Sequence, residues 1–226
     1  MESLFYLSQV VTDYEEIGYE DKIAKAVVRC IRGYVRWAMR DAGIDMRKTP
    51  LNILVRAYPP DFRGREDSDS EDSDFAPSPV SSSGEQVEGA DGAGMGKDDA
   101  ALEAQRARRF TRAVSRDLES RLLGLGQRWR DRLRDPRGKG FIARPPTLYA
   151  FAVIQHIAML ASHDPSSQAN PVVVLEQIRL NDRGQWLWNA LSIALPVNMA
   201  RDALNGMWDT GVIVAEHSDP GADPDL

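Results

Sequence analysis

The sequence predicts an all-α fold: a helical bundle formed by N- and C-terminal helices and interrupted by a long acidic insertion. Three observations carry this expectation. Apolar residues recur at spacings of three and four on both sides of the chain's centre. Between them lies a stretch almost without large apolar side chains. Glycines and prolines fall where helices would stop and start.

The first block, residues 1–60, opens near Ser3 and contains a long helix from about Tyr19 to Ala42. At ~100° per residue, Ile23, Val27, Cys30, Ile31, Tyr34, Trp37 and Ala38 fall on one wide face. Lys22, Lys25, Arg29, Arg32, Arg36 and Arg40 fall on the other side. Gly43 is the stop signal, because glycine takes up the left-handed conformation that follows a helix end. Thr49-Pro50 then introduces a short helix, LNILVRAY, closed by Pro59-Pro60.

Residues 61–99 change character. RGREDSDSEDSD is a charged tract, and APSPVSSSGEQVEGADGAGMGK is small, polar and glycine-rich. Phe75, Val80, Val87 and Met95 are the large apolar residues between Arg63 and Asp99. So little apolar surface does not offset the entropy of ordering, and the segment is read as disordered.

The C-terminal block, residues 100–215, begins with a helix from about Asp99 to Arg134. Ala107, Phe110, Val114, Leu118, Leu122, Leu125, Trp129 and Leu133 form its narrow apolar stripe, with Arg108, Arg109, Arg112 and Arg116 opposite. Gly124 and Gly126 predict a kink or break. After Asp135-Pro136-Arg137-Gly138, Pro145-Pro146 introduces TLYAFAVIQHIAMLAS, apolar all round and hence a central helix. VVVLEQIRL follows Asn170-Pro171 and reads as a helix, although its valines fit a strand equally. QWLWNALSIAL runs to Pro196, where VNMARDALNGMW begins a further helix. Residues 216–226 form an acidic tail. No repeat of solenoid period occurs.

Charge is unevenly placed. The chain of 226 residues carries 28 Lys+Arg against 34 Asp+Glu, a net −6. Residues 61–100 hold 12 acids and 3 bases, a balance of −9, and the tail from Glu216 adds −4. The remainder is therefore at +7. Arginine supplies 23 of the basic residues, and its planar fork suits anionic partners.

Several chemistries lack their signatures. One cysteine, Cys30, makes neither an internal disulfide nor a Cys-rich metal site, and reads as a buried helix thiol. A phosphate loop would need glycine at 91 and Ser or Thr at 98, where the chain has Asp91 and Asp98. His156 and His163 are too far apart on one helix, ~10 Å along its axis, to share a metal. His156 reads as a hydrogen-bonded core residue and His163 as a helix C-terminal cap. No HExxH, CxxC or G-x-S-x-G occurs, so no catalytic, cofactor or metal residues are assigned and no enzyme is expected. The N-terminus lacks a basic secretory n-region, no run reaches the ~18 apolar residues of a membrane span, and the cytoplasm or nucleus is the expected location.

Three functional readings remain. The first is a non-enzymatic protein-interaction module, with a partner groove around Trp186, Trp188 and Trp208. Its acidic loop carries candidate phosphorylation sites at Ser68, Ser70, Ser73 and Ser78, each adding about −1.5 to −2 charges. The second is an anion-binding module, for nucleic acid above all. It would use Lys22, Lys25, Arg29, Arg32, Arg36 and Arg40 with Arg108, Arg109, Arg112 and Arg116, the acidic segment competing for those faces. The third is an enzyme with a dispersed site.

Overall fold

The computed structural model describes residues 2–63, 95–134, 142–167 and 172–212. In chain order the elements are α1 (Glu2–Phe5), α2 (Leu7–Ile17), α3 (Glu20–Asp41), β1 (Ile53–Tyr58), α4 (Met95–Leu133), β2 (Leu148–Ile154), β3 (Ile157–His163), β4 (Val173–Arg179) and α5 (Trp186–Asp209). The expected all-α helical bundle is therefore wrong. The strands form one sheet in the order β1-β2-β3-β4, with β1 parallel to β2 and the other neighbours antiparallel.

Three segments read as helical account for the error. LNILVRAY contains β1, the apolar run from Leu148 is the β2–β3 hairpin, and VVVLEQIRL is the edge strand β4. Every residue of β2 except Ile154 is buried, so it presents no apolar–polar alternation. The hairpin turns on Gln155-His156, a pair without the usual turn residues, and Gln155 takes a φ of 48° to make it. That is a conformation side chains other than glycine rarely adopt.

The two faces of the sheet carry different residues. Tyr58 and Arg56 of β1 both reach Asp117 of α4, so their face looks toward that helix. Register places Ala150, Ala152 and Ala161 on the same face. Small side chains there leave room for the buried α4 stripe of Val114, Leu118, Leu122, Leu125, Trp129 and Leu133. The α4 helix runs unbroken through both glycines. A Cβ on Gly126 would sit 3.1 Å from His163 Nε2, so glycine at that position lets α4 approach β3 closely. The opposite face carries Ile53, Val55, Tyr149, Phe151 and Val153, and packs on α3 and α5. The result is three layers: α4, the sheet, and a layer built on α3 and α5 with α1 and α2 beside them.

In α3 the apolar stripe is buried as its period predicts, with Ile23, Val27, Ile31, Tyr34 and Ala38 in the core and Trp37 stacked on Tyr34 at the rim. Two expected helices merge into α5, which continues through Pro196. Proline removes one backbone donor there, but Ile193, Val197 and Ala200 are buried on either side and hold the helix to the sheet. The histidines also change role. His156 lies in the hairpin turn with Nδ1 3.2 Å from Glu15 of α2, and His163 ends β3 rather than capping a helix.

Asn52 ties the layers together immediately before β1. Its backbone carbonyl accepts from the Tyr149 N–H at 2.9 Å. Its side-chain amide donates to the carbonyls of Thr147 and Ala200 at 3.3 and 3.1 Å. One fully buried side chain therefore joins the starts of β1 and β2 to α5. Replacing Asn52 with Ala strands one buried and one part-buried acceptor, and chemical denaturation should show a loss of about 1–3 kcal/mol.

Candidate functional site

Among the described residues the sheet ends at β1, and one side of that strand has no strand neighbour there. The backbone groups of a strand point alternately to its two sides. The Asn52 carbonyl bonds β2, whereas the Val55 carbonyl accepts a hydrogen bond from Arg32 of α3 at 2.8 Å. Ile53, Val55 and Ala57 therefore present their N–H and C=O groups outward, and the even-numbered residues serve β2.

Along this open edge runs a groove of about 770 Å³ between β1 and α3. Its apolar floor includes Val28, Val35 and Leu51, and Lys25, Arg29, Arg32, Arg36 and Arg56 surround it. The helix supplies four of these cations at successive turns because its core stripe occupies the other face. Among the described residues, no carboxylate forms an ion pair with Lys25, Arg29, Arg32 or Arg36. The fifth cation is committed elsewhere: Arg56 lies 3.4 Å from Asp117 and packs over the Tyr58 ring.

Thus four of the ten basic residues singled out in the sequence line one groove. Lys22 lies over the Tyr19 ring, and Arg40, in the last turn of α3, is not among the groove's lining residues. Arg108, Arg109, Arg112 and Arg116 are exposed on α4, which packs on the other face of the sheet from α3, and they are not among the groove's lining residues. Arg56 was not singled out. Within LNILVRAY it is a lone arginine, and only the pairing of β1 brings it to α3.

The tryptophans are dispersed. Trp186 packs edge-on against Phe5 at 5.9 Å, and Trp188 is 67% exposed. Trp208 sits in the last turn of α5, ~33 Å along the helix from Trp186. Trp186 instead borders a small depression with Phe5 and Tyr6. Ser68, Ser70, Ser73 and Ser78 lie outside the described residues, as do residues 216–226.

Cys30 is half-buried on α3, and burial pushes its thiol up against the lowering effect of Arg29, so it is no activated nucleophile. Among the described residues, no three His, Cys, Asp or Glu side chains gather as a metal site would require. No helix there is long and apolar enough to cross a membrane.

The β1 end of the groove is braced from the far side of the sheet. Asp117 accepts from the Tyr58 hydroxyl and from Arg121 Nε, both at 2.8 Å. Burial pushes the Asp117 carboxyl up, but the hydrogen bonds from Arg121 and Tyr58 and the charges of Arg56 and Arg121 outweigh it and hold the group below its ordinary value. A depressed native pKa contributes stability above the carboxylate range, and that contribution is lost as pH falls through it. At neutral pH, Asp117→Asn should be less stable than the native chain by about 1–2 kcal/mol. Urea titrations should show the gap closing below about pH 4. Comparisons with protein-family models, curated proteins and solved structures find no match for this chain.

Proposed function

We propose that this chain is a non-enzymatic interaction module whose groove receives an extended acidic segment of another protein, added as a further strand along β1. The observation that supports the reading most is the coincidence, among the described residues, of an open strand edge with a row of cations that form no ion pair there. Strand addition obtains affinity from main-chain hydrogen bonds, and flanking side chains then select the sequence. Here the flanking side chains are positive, so the selected sequence is negative.

Arg32 makes the edge conditional. Without a partner its guanidinium covers the Val55 carbonyl, a cap that discourages indiscriminate strand pairing. A carboxylate is a stronger acceptor for arginine than a neutral carbonyl. An arriving acidic side chain draws Arg32 away and leaves the carbonyl to the incoming backbone. An uncharged strand offers no such exchange.

A nucleic acid would satisfy the same cations, and it is the alternative reading. The apolar floor and the outward backbone groups favour a peptide, because a phosphate backbone uses neither of them.

Fluorescence anisotropy with an acidic peptide tests this. The full chain is used with the acids of 66–74 changed to amides, so that its own acidic tract cannot compete. Binding should weaken with salt, and Lys25→Glu with Arg29→Glu should reduce affinity about tenfold or more. Ala57→Pro removes one outward N–H, which an edge strand tolerates, and should reduce binding while circular dichroism stays unchanged. Binding indifferent to both variants would overturn the proposal. Preferential binding of an oligonucleotide that ignores Ala57→Pro would favour the phosphate reading.

A further inference from the structure

The groove has a repeat of its own. Its helical cations stand at positions 25, 29, 32 and 36, separated by four, three and four residues. At 1.5 Å per residue these steps are ~6, ~4.5 and ~6 Å. In an extended strand, side chains on one face recur every two residues, or ~6.6–6.8 Å. One helical turn and one strand repeat are thus nearly commensurate.

Helix and strand also run alongside each other for enough length to use this match. The groove is lined by α3 from Lys25 to Arg36, ~16 Å of helix. It is lined by the β1 region from Leu51 to Ala57, ~20 Å of extended chain. Three side chains on one face of an added strand span ~13 Å and fit within both.

The two faces of an added strand meet different surroundings. Residues opposite Ile53, Val55 and Ala57 share the face that packs on α3, and they look toward the cation row. Residues opposite Leu54 and Arg56 share the α4 face, where Arg56 is already held by Asp117. An acid on that second face finds no uncommitted cation among the groove residues.

Resting on strand addition at β1, we infer that the groove selects a particular spacing of acids. Its ligand is an extended segment with Asp or Glu at every second residue, i, i+2 and i+4, and small uncharged residues between them. Contiguous acids place half their charge on the wrong face. This chain's own sequence contains the pattern: Asp67, Asp69 and Glu71 alternate with Ser68 and Ser70. A synthetic peptide of that sequence, added in trans, is therefore the natural probe.

The test compares two peptides of identical composition. One carries the alternating order Asp-Ser-Asp-Ser-Glu, and the other carries the same three acids contiguously. Both are titrated by anisotropy against the full chain bearing the amide substitutions in 66–74. The alternating peptide should bind roughly fivefold tighter, because it engages more of the cation row. Lys25→Glu should erase most of that preference. Equal affinities, or tighter binding of the contiguous peptide, would overturn the spacing rule and leave strand addition standing. Failure of both peptides to bind would overturn strand addition itself.

Discussion

The parallel pairing of β1 with β2, from Ile53 beside Tyr149 to Tyr58 beside Ile154, is the constraint on which the rest of the molecule depends. It joins the N-terminal helices to a meander made by the C-terminal half. A parallel pair cannot be closed by a tight turn, so a longer connection joins the two strands, and α4, which packs on one face of the sheet, belongs to it. Everything on the opposite face follows. α3 lies under β1 because it immediately precedes it, and α5 returns beneath β2 and β4. Asn52 sits where these paths meet, and its buried amide fixes the starting point of the pairing.

That constraint also explains why the groove exists. β1 is placed at an end of the sheet, and it arrives there with a helix whose polar side is almost entirely cationic. The core takes Ile23, Val27, Ile31 and Ala38, and the intervening turns carry lysine and arginine out to the strand's open side. The same strand is gripped from the other face by Asp117 through Tyr58 and Arg56. A rigid edge and a charged rim are therefore products of a single arrangement. β4, the opposite edge, contrasts with it: Val173, Val174 and Leu175 are exposed there.

Much of this was legible in the sequence where a helix has one wet face. The α3 and α4 stripes are buried along most of their length, and Lys25, Arg29, Arg32 and Arg36 were visible as the reverse of the α3 stripe. What the sequence concealed was the sheet. β2 is covered by helices on both faces, so its residues have no reason to alternate, and a run of seven such residues reads as well for a buried helix. The hairpin after it turns on Gln155-His156 rather than on glycine or asparagine, and nothing local announces the reversal. β1 is six residues long and mixes apolar residues with one arginine. Reading these as helices hid the edge, and with the edge hidden the α3 cations were one solvated face among several. The groove is a tertiary object, since Arg32 and the Val55 carbonyl are 23 positions apart in sequence yet 2.8 Å apart in space.

The order of β1 and β2 along the chain bears on how the protein is born. Ile53 and its partner Tyr149 are separated by 96 positions. At the usual pace of translation, β1 leaves the ribosome ~5–20 s before the strand it must pair with leaves it. Over that interval the side of β1 that will meet β2 lacks its final neighbour. α3 is already complete, and Arg32 can reach the nascent strand without help from anything downstream. The arginine that caps the finished edge is thus available as an early guardian of an orphaned strand, shielding it from other nascent chains until its true neighbour is synthesised.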